Sequence, residues 1–350
     1  MAAIVGNTTG GRTHPTILVR RTASSGARGT VAGDRAGART PDLSRAPSIG
    51  RQGLALVTRL AILGFGLVGG SIAKALAARR PGAWTVTAWS RGSEGPDAAL
   101  EAGLIDSVAA DPLVAATEAD LILLAASPRA NVALVGRVGP TVAAAGGVLT
   151  DVTSVQSPMA VAAASVAGLR MVGGHPMGGR EQAGYGASDA DLFLDRPWVI
   201  LPGSLATPDD VDLVERLADD CGARPIRLEP AAHDAAVALI SHLPLVVASA
   251  LVEAVSEAPG WPLARTLAAQ GWRDTTRVAR GDPALGAGML ALNAANVAEA
   301  LRQQRAVLDA WQVRLDALAA ANSDGPEIDA LLAELDRVAA LVGREGSGGG

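Results

Sequence analysis

The sequence predicts an α/β domain built on a mostly parallel, doubly wound sheet, followed by an all-α domain. Three observations predict this class. An apolar strand, a glycine-rich turn and a helix follow one another between Leu60 and Leu76, and strand and helix patterns then alternate. After Glu229 the strand signals stop and only helical periodicity remains. The predicted boundaries are an Arg-rich extension over 1–58, the α/β domain over 59–230, the helical domain over 231–342 and a flexible tail over 343–350.

The extension over residues 1–58 differs from the rest of the chain in composition. It contains eight arginines, only two acids (Asp34 and Asp42) and no sustained hydrophobic period, so we expect it to be disordered. An organelle transit peptide has this composition, although a start codon assigned too far upstream or a dispensable bacterial tail would also explain it. The expected location is the bacterial cytoplasm, or a plastid if the chain is eukaryotic and carries a transit peptide.

The glycine turn after the first strand has the spacing of a dinucleotide site. Gly64, Gly66 and Gly69 stand in G-x-G-x-x-G order between a buried strand and a helix. Gly64 permits the tight turn, Gly66 lets the backbone approach a pyrophosphate, and Gly69 lets the helix pack on the strand. The helix N-terminus would then face the phosphates. The alternative is a glycine-rich turn that only packs tightly. The predicted contacts of this Rossmann-type dinucleotide-binding domain are Gly64, Phe65, Gly66, Leu67, Val68 and Gly69.

The end of the second strand indicates which nucleotide is bound. NAD-binding units usually place an acid there to hold the ribose 2′-hydroxyl. Here Trp89 is followed by Ser90 and Arg91, and the first acid is Glu94. An arginine and a hydroxyl suit a 2′-phosphate, so NADP is favoured over NAD, with Arg91 as a solvated turn residue the alternative.

Further strands and helices are predicted in the two domains. Further strands are predicted at 85–89, 120–126, 147–151, 198–201 and 225–228, with a helix starting near Pro208. Helices are predicted over 231–256, 262–270, 283–300, 300–320 and 326–342. We expect their apolar faces to form a homodimer interface, although an intramolecular bundle would have the same pattern. The apolar stretch from Ala235 to Val252 contains Ser241, His242 and Pro244, so it is interpreted as a buried helix and not as a membrane span.

Composition excludes several classes of function. The net charge of −5 gives no indication of nucleic-acid binding, and we expect a soluble protein with no membrane partner. Cys221 is the only cysteine, which excludes an internal disulfide and a cysteine-based zinc cluster. We expect Cys221 to be structural and no metal site to be present.

Histidines are rare in this sequence, so the role of each can be considered separately. His175 follows two glycines and precedes a proline, which predicts a constrained loop and favours an acid/base group over a surface residue. Ser154 comes just after a strand, where ligands bind in open α/β sheets. His233 and His242 are nine residues apart, so a regular helix would point them to roughly opposite faces. That spacing does not suit a metal pair, and His233 is interpreted as structural.

Taken in order, these motifs resemble those of the prephenate/arogenate dehydrogenases of tyrosine biosynthesis. The resemblance covers about Arg59 to Leu318. It rests on Gly64-Phe-Gly-Leu-Val-Gly-Gly70, Asp151-Val-Thr-Ser154, Gly173-Gly-His-Pro-Met177, Asp191-Leu-Phe193, His233-Asp234, Ser241-His-Leu-Pro244 and Trp272-Arg-Asp-Thr-Thr-Arg277.

The resemblance implies the oxidative decarboxylation of prephenate or arogenate with NADP or NAD. In this family pattern His175 is the general base and Ser154 hydrogen-bonds the same substrate hydroxyl. Arg277 would bind a substrate carboxylate, for which a guanidinium is suited, and His242 would line the pocket. The resemblance also implies a homodimer formed through the helical domain.

Three departures from the family pattern bear on the substrate. Leu245 stands where many prephenate-preferring members have a second histidine, which makes the pattern closest to the cyanobacterial-type arogenate dehydrogenases. Gln156 replaces a frequent lysine, and Arg180 adds a charge after the His-Pro-Met segment. The preference between prephenate and arogenate, and any feedback inhibition by tyrosine, are left open.

Two other functions remain as alternatives. A different two-domain NADP-dependent dehydrogenase could act on a hydroxy acid or an imine, but Lys74, the only lysine, lies on the nucleotide-binding helix and not where such enzymes carry a catalytic lysine. A non-catalytic NADP-binding protein would not need Ser154, His175 and Arg277 together.

Overall fold

The computed structural model describes residues 57–180, 182–321 and 325–345. These residues belong to one unit, Leu54–Gly350. The predicted extension lies outside the described residues up to residue 56, and most of the predicted tail lies outside them too. The disorder and the transit peptide therefore stay predictions.

A five-stranded parallel sheet forms the first half of the α/β domain, in the strand order β3-β2-β1-β4-β5. Its register aligns Leu63 with Trp89 and with Leu124, and Leu124 with Asp151. The strand ends that precede Gly64, Ser90, Ala125 and Val152 therefore lie in one row. The strands are β1 (Thr58–Leu63), β2 (Trp84–Trp89), β3 (Ser107–Val108), β4 (Leu121–Leu124) and β5 (Val148–Asp151).

A second, three-stranded sheet continues the first one. It contains β6 (Val172–Pro176), β7 (Pro197–Pro202) and β8 (Arg224–Arg227). β6 is antiparallel to β7, and β7 is parallel to β8. A bridge between Leu149 and Met171 connects β5 to the start of this sheet. The sheet is thus mostly parallel, as predicted, and β6 is the exception.

Helices cover both faces of the parallel sheet. Leu60 and Ile62 of β1 belong to one buried cluster, whereas Ala61 and Leu63 belong to a second cluster on the opposite face. Burial on both faces explains why the strands are continuously apolar. Cys221 is buried in this part of the molecule, and burial raises the pKa of its thiol, in accord with a structural residue. The helices are α1 (Leu67–Arg79), α2 (Glu94–Glu101), α3 (Pro112–Glu118), α4 (Pro128–Ala145), α5 (Ser157–Ala164) and α6 (Pro208–Asp220).

After β8 the described chain is helical. The elements are α7 (Pro230–Val237), α8 (Leu243–Ser256), α9 (Trp261–Thr266), α10 (Gln270–Thr276), α11 (Pro283–Leu292), α12 (Ala294–Ala320) and α13 (Pro326–Glu345). A π-helical turn, Ala238–His242, joins α7 to α8, and a 92° bend separates α11 from α12. The predicted fold class, a Rossmann-type α/β domain followed by an all-α domain, is confirmed.

The helical stretch Pro230–Ser256 corrects one prediction. In the described part of the chain it is the one unbroken helix long and apolar enough to cross a membrane, and the bent pair α11–α12 passes the same test jointly. Only 22% of its apolar window is buried, and Leu239 and Ile240 are 53% and 68% exposed. The expected buried helix is therefore largely exposed in the single chain. Apolar periodicity identifies a face that needs a partner, but it does not say whether that partner is intramolecular.

Candidate active site

The glycine turn leaves an open space in front of α1. Gly64 has a φ of +107°, and a Cβ there would lie 2.4 Å from the backbone nitrogen of Ala126. A Cβ on Gly69 would lie 2.3 Å from the carbonyl oxygen of Gly64, so α1 packs closely on the turn. A Cβ on Gly66 would meet no atom within 4 Å. This combination fits a turn that admits a pyrophosphate at the N-terminus of α1.

A cavity of about 480 Å³ extends from this turn along the ends of β2 and β4. Trp89, Ser90 and Arg91 lie on its wall with Gly64, Phe65 and Gly66, and so does Arg137, which pairs with Asp111 across 2.8 Å between Nη2 and Oδ2. None of the described residues that line this cavity is acidic. The side of the cavity that is predicted to hold the nucleotide ribose is therefore cationic.

A second cavity, of about 640 Å³, adjoins the first and shares Arg91, Ala125, Ala126 and Ser127 with it. Leu67 and Val68 of α1, Ser154 after β5 and His175 on β6 all line this second cavity. The structure thus brings the glycine turn, Arg91, Ser154 and His175 into one continuous cleft. Ser241 and residues of α11 close the cleft from the helical domain.

His175 lies at the centre of the polar contacts in this cleft. Its Nδ1 is 2.8 Å from Nε2 of His233, and Nδ1 of His233 is 2.9 Å from Oδ1 of Asp234. Burial, together with electrostatic repulsion from His233 and His242, lowers the pKa of His175 to about 3. His175 is therefore neutral at physiological pH, which is the state required of a proton acceptor.

His233 was interpreted as a structural residue, but it contacts His175 directly. It is 1% exposed, and α7 carries it to the back of the cleft. The pair His233-Asp234 was visible in the sequence as a motif. Its contact with His175 joins residues 58 positions apart, and no local pattern predicts that contact.

Ser154 and His242 each have a buried polar atom with no hydrogen-bond partner in the described residues. These atoms are Oγ of Ser154 and Nε2 of His242. His242 is fully buried behind the cleft, and it is Ser241 that lines the wall, so the predicted lining role of His242 is not seen in the single chain. Nδ1 of His242 lies 3.1 Å from the side-chain nitrogen of Asn293. That nitrogen can only donate, so Nε2 of a neutral His242 carries the ring proton.

The segment between His233 and His242 is not a regular α-helix. The side-chain nitrogen of Asn293 donates to the carbonyl oxygen of Asp234 across 2.8 Å and also lies 3.1 Å from Nδ1 of His242. The π-helical turn Ala238–His242 lies between the two histidines, so the regular helical spacing on which their expected opposite orientation rests does not apply here.

A buried carboxylate supports the strand that carries His175. Oδ1 of Asp151 accepts the backbone N–H of Gly174 across 3.1 Å, and Oδ2 accepts the Thr153 N–H across 2.8 Å and the Gln156 amide across 3.1 Å. Burial raises the pKa of Asp151 to about 6, although these hydrogen bonds oppose the shift. Gln156, noted in the sequence only as a departure from the family pattern, thus connects Asp151 to the backbone of β6, since it also donates to the Gly174 carbonyl.

Arg277 lies beside the cleft and not within it. With Arg180, Gln182 and Arg280 it lines a third cavity, of about 470 Å³, and Arg180 and Gln182 line the main cleft as well. Arg180 also pairs with Asp189. The predicted carboxylate-binding arginine is therefore part of a cationic rim at the mouth of the cleft.

Two family models match the chain. The model described as "Prephenate dehydrogenase, nucleotide-binding domain" matches residues 72–227, and "Prephenate dehydrogenase, dimerization domain" matches residues 229–334. The first match begins after the glycine turn, so the turn is supported by its own geometry.

Curated relatives and solved structures agree with these models. Prephenate dehydrogenase of Bacillus subtilis is 30% identical over 64% of this chain and 61% of its own length, so the match spans about three fifths of that relative. Cyclohexadienyl dehydrogenase of Zymomonas mobilis is 31% identical over 67% of this chain and 80% of its own length. Synechocystis arogenate dehydrogenase is 29% identical with a TM-score of 0.66, covering 81% of this chain and 99% of that structure.

A fourth likeness concerns the fold alone. Prephenate dehydrogenase from A. aeolicus, in complex with hydroxyphenyl propionate and NAD+, has a TM-score of 0.70 at 24% identity. It covers 81% of this chain and 98% of that structure.

Proposed function

Because the chain belongs to the prephenate dehydrogenase family, we propose that it catalyses the NAD(P)-dependent oxidative decarboxylation of prephenate or arogenate in tyrosine biosynthesis. One observation carries the proposal: the glycine turn and a neutral His175 line one continuous cleft, with Ser154 beside them. The products are 4-hydroxyphenylpyruvate from prephenate and tyrosine from arogenate.

The reaction moves a hydride, a proton and a carboxylate. A bound nicotinamide ring supplies the hydride acceptor for the ring carbon that carries the substrate hydroxyl. His175 accepts the hydroxyl proton as the hydride leaves. The carboxylate then departs as CO2, and the electron pair of the broken carbon–carbon bond makes the ring aromatic. His175 returns its proton to the phenolate oxygen, so no net proton is consumed.

Ser154 is assigned to the same hydroxyl, and His242 to the wall behind it. The Oγ of Ser154 is buried without a partner in the described residues, so a substrate hydroxyl would satisfy it at little cost. His242 offers a proton on its buried Nε2 behind the same wall. Ser154 thus favours a polar substrate atom in the cleft that His175 also lines.

The cationic rim suits an anionic substrate. Arg180, Arg277 and Arg280 converge on one cavity beside the cleft, and guanidinium groups bind carboxylates in a bidentate manner. We assign Arg277 to a substrate carboxylate. A hydroxy-acid dehydrogenase with a lysine acid/base group is less well supported, because Lys74 lies on α1 and donates to the carbonyl oxygen of Ser188 across 2.9 Å.

The nucleotide assignment is NADP in preference to NAD. Its support is the ribose-side cavity, where Ser90 and Arg91 follow β2 and no acid occurs among the described lining residues. The helical domain is assigned to a homodimer interface, which would cover Leu239 and Ile240, the exposed apolar residues of the turn before α8. The bacterial origin of the curated relatives reported above favours the cytoplasm over the plastid.

The test is a four-way absorbance assay that crosses prephenate and arogenate with NADP and NAD. We expect reduced nucleotide to form in at least one combination, with a higher kcat/KM for NADP than for NAD. His175→Asn is the matched control, and it should abolish turnover while leaving nucleotide affinity nearly unchanged. Absence of turnover in all four combinations, or wild-type rates in His175→Asn, would contradict the proposal.

A further inference from the structure

The general base is the outer member of a chain of three side chains. Nδ1 of His175 contacts Nε2 of His233 across 2.8 Å, and Nδ1 of His233 contacts Oδ1 of Asp234 across 2.9 Å. The two rings are nearly perpendicular, with an interplanar angle of 83°. His233 and Asp234 are 1% and 2% exposed, so bulk water does not compete for these contacts.

The carboxylate of Asp234 is fixed by the start of α5. Oδ1 accepts the backbone N–H of Gln156 and Oδ2 accepts that of Ser157, each across 2.7 Å. Burial would raise the pKa of Asp234, but the hydrogen bonds from His233, Gln156 and Ser157 outweigh it, so the pKa is lowered. Because backbone N–H groups only donate, Asp234 acts as an ionised acceptor at the inner end of the chain.

The positions of the ring protons follow from that fixed acceptor. An ionised Asp234 requires the proton of His233 to be on Nδ1, and a neutral His233 then presents a bare Nε2 to His175. His175 can meet that bare nitrogen only with a proton on its own Nδ1. Its single remaining ring nitrogen, Nε2, is consequently left without a proton.

We propose that His233 and Asp234 are positioning residues that hold His175 as the Nδ1–H tautomer, so that Nε2 is the atom that accepts the substrate proton. The inference rests on the proposed function for the identity of that proton donor. The arrangement also places the Asp234 carboxylate behind the positive charge that develops on His175 when Nε2 takes a proton. In a catalytic triad a carboxylate orients the imidazole that acts as the base. Here a second imidazole, that of His233, lies between the carboxylate and the base.

Two substitutions of His233 separate this role from simple packing. The oxygen of a glutamine side chain reaches the position of Nε2, so His233→Gln keeps an acceptor for His175. An asparagine reaches only the position of Nδ1, so His233→Asn keeps the contact with Asp234 and loses the one with His175. We expect His233→Asn to lower kcat by about 10- to 100-fold, which is less than the roughly 10²–10⁴-fold that general-base catalysis contributes as a whole, with a smaller change in KM. His233→Gln should retain most of the wild-type kcat.

A spectroscopic measurement tests the tautomer without any turnover. In the full-length wild-type protein labelled with ¹⁵N-histidine, we expect His175 to carry its proton on Nδ1 and none on Nε2, with His175→Asn used to assign the signal. In His233→Asn both tautomers of His175 should appear, and in His233→Gln the wild-type signal should return.

Either of two results would overturn the proposal: an Nε2–H tautomer of His175 in the wild-type protein, or a wild-type kcat in His233→Asn. The wild-type spectrum decides the question even if a variant fails to fold. If the wild-type protein turns over neither substrate, the proposed function fails, whereas the tautomer measurement still stands on its own.

Discussion

In the proposed mechanism His175 acts as a neutral imidazole, and its burial sets how that mechanism depends on pH. Its pKa is lowered from 6.5 to about 3, so protonation begins to inactivate it only far below neutral pH. We predict that kcat/KM does not decline between pH 8 and pH 5 through titration of this residue, since kcat/KM reports the groups of the free enzyme. A pH–rate profile checks this. An acid limb near pH 6.5 that is absent from a variant with an alternative base would show that His175 titrates normally.

The same shift has a consequence for stability. The unfolded chain binds a proton on His175 below about pH 6.5, whereas the folded chain binds it only below about pH 3. The contribution of His175 to folding is therefore complete above pH 6.5 and decreases as pH falls toward 3. Asp151 has the opposite sign, because its pKa is raised to about 6 and its proton favours the folded state between about pH 4 and pH 6. The two buried groups partly offset each other in mildly acidic solution.

Arg91 is the residue proposed to favour NADP over NAD. It lines both the ribose-side cavity and the main cleft, and it follows β2 where NAD-binding units carry an acid. We predict that Arg91→Ala weakens NADP binding by roughly 10- to 100-fold, because a hydrogen bond to a charged group contributes about 1.5–3 kcal/mol. NAD affinity is the internal control and should change little. Equal losses for the two nucleotides, measured by fluorescence titration, would assign Arg91 to the shared part of the cofactor.

The glycines of the turn before α1 meet two different requirements, close packing at Gly69 and open space at Gly66. A Cβ on Gly69 would lie 2.3 Å from the Gly64 carbonyl oxygen, whereas a Cβ on Gly66 would meet nothing within 4 Å. We predict that Gly69→Ala lowers the free energy of unfolding by about 1–3 kcal/mol through overpacking. Gly66→Ala should keep wild-type stability and lose nucleotide affinity, because its methyl group would occupy the space for the pyrophosphate. Thermal unfolding and nucleotide titration of the pair check this, and the reverse assignment of effects would contradict it.

Elements with a local signal were predictable from the sequence, and contacts over long distances were not. The strand-turn-helix unit at Leu60–Leu76 and the strand before Ser154 could be predicted, because their hydrophobic period and glycine spacing are visible within a short stretch of sequence. The contact of His175 with His233 depends on how α7 docks against β6, and the π-helical turn before α8 interrupts the regular helix from which the orientation of His242 was predicted. The roles of Ser154, His175, Arg277 and His242, and the domain boundaries, stay predictions.

The helical domain of the single chain leaves large apolar side chains exposed to solvent. Ile240 is 68% exposed in the turn before α8, and Leu267 is 72% exposed just after α9. We predict that Ile240→Glu combined with Leu267→Glu shifts the protein from dimer to monomer in sedimentation velocity experiments. The matched control is Val161→Glu on α5, where a 72% exposed valine belongs to the α/β domain, and it should leave the dimer intact. A double variant with the wild-type sedimentation coefficient would place the interface elsewhere.

The proposed reaction couples hydride transfer to the loss of a carboxylate as CO2, which a simple alcohol dehydrogenase does not do. The measurement that tests this most directly is the ratio of CO2 released to nucleotide reduced, with prephenate or arogenate as substrate. We expect one CO2 for each reduced nucleotide, and neither product from His175→Asn. Reduced nucleotide formed without CO2 would contradict it and would indicate a simple alcohol dehydrogenase.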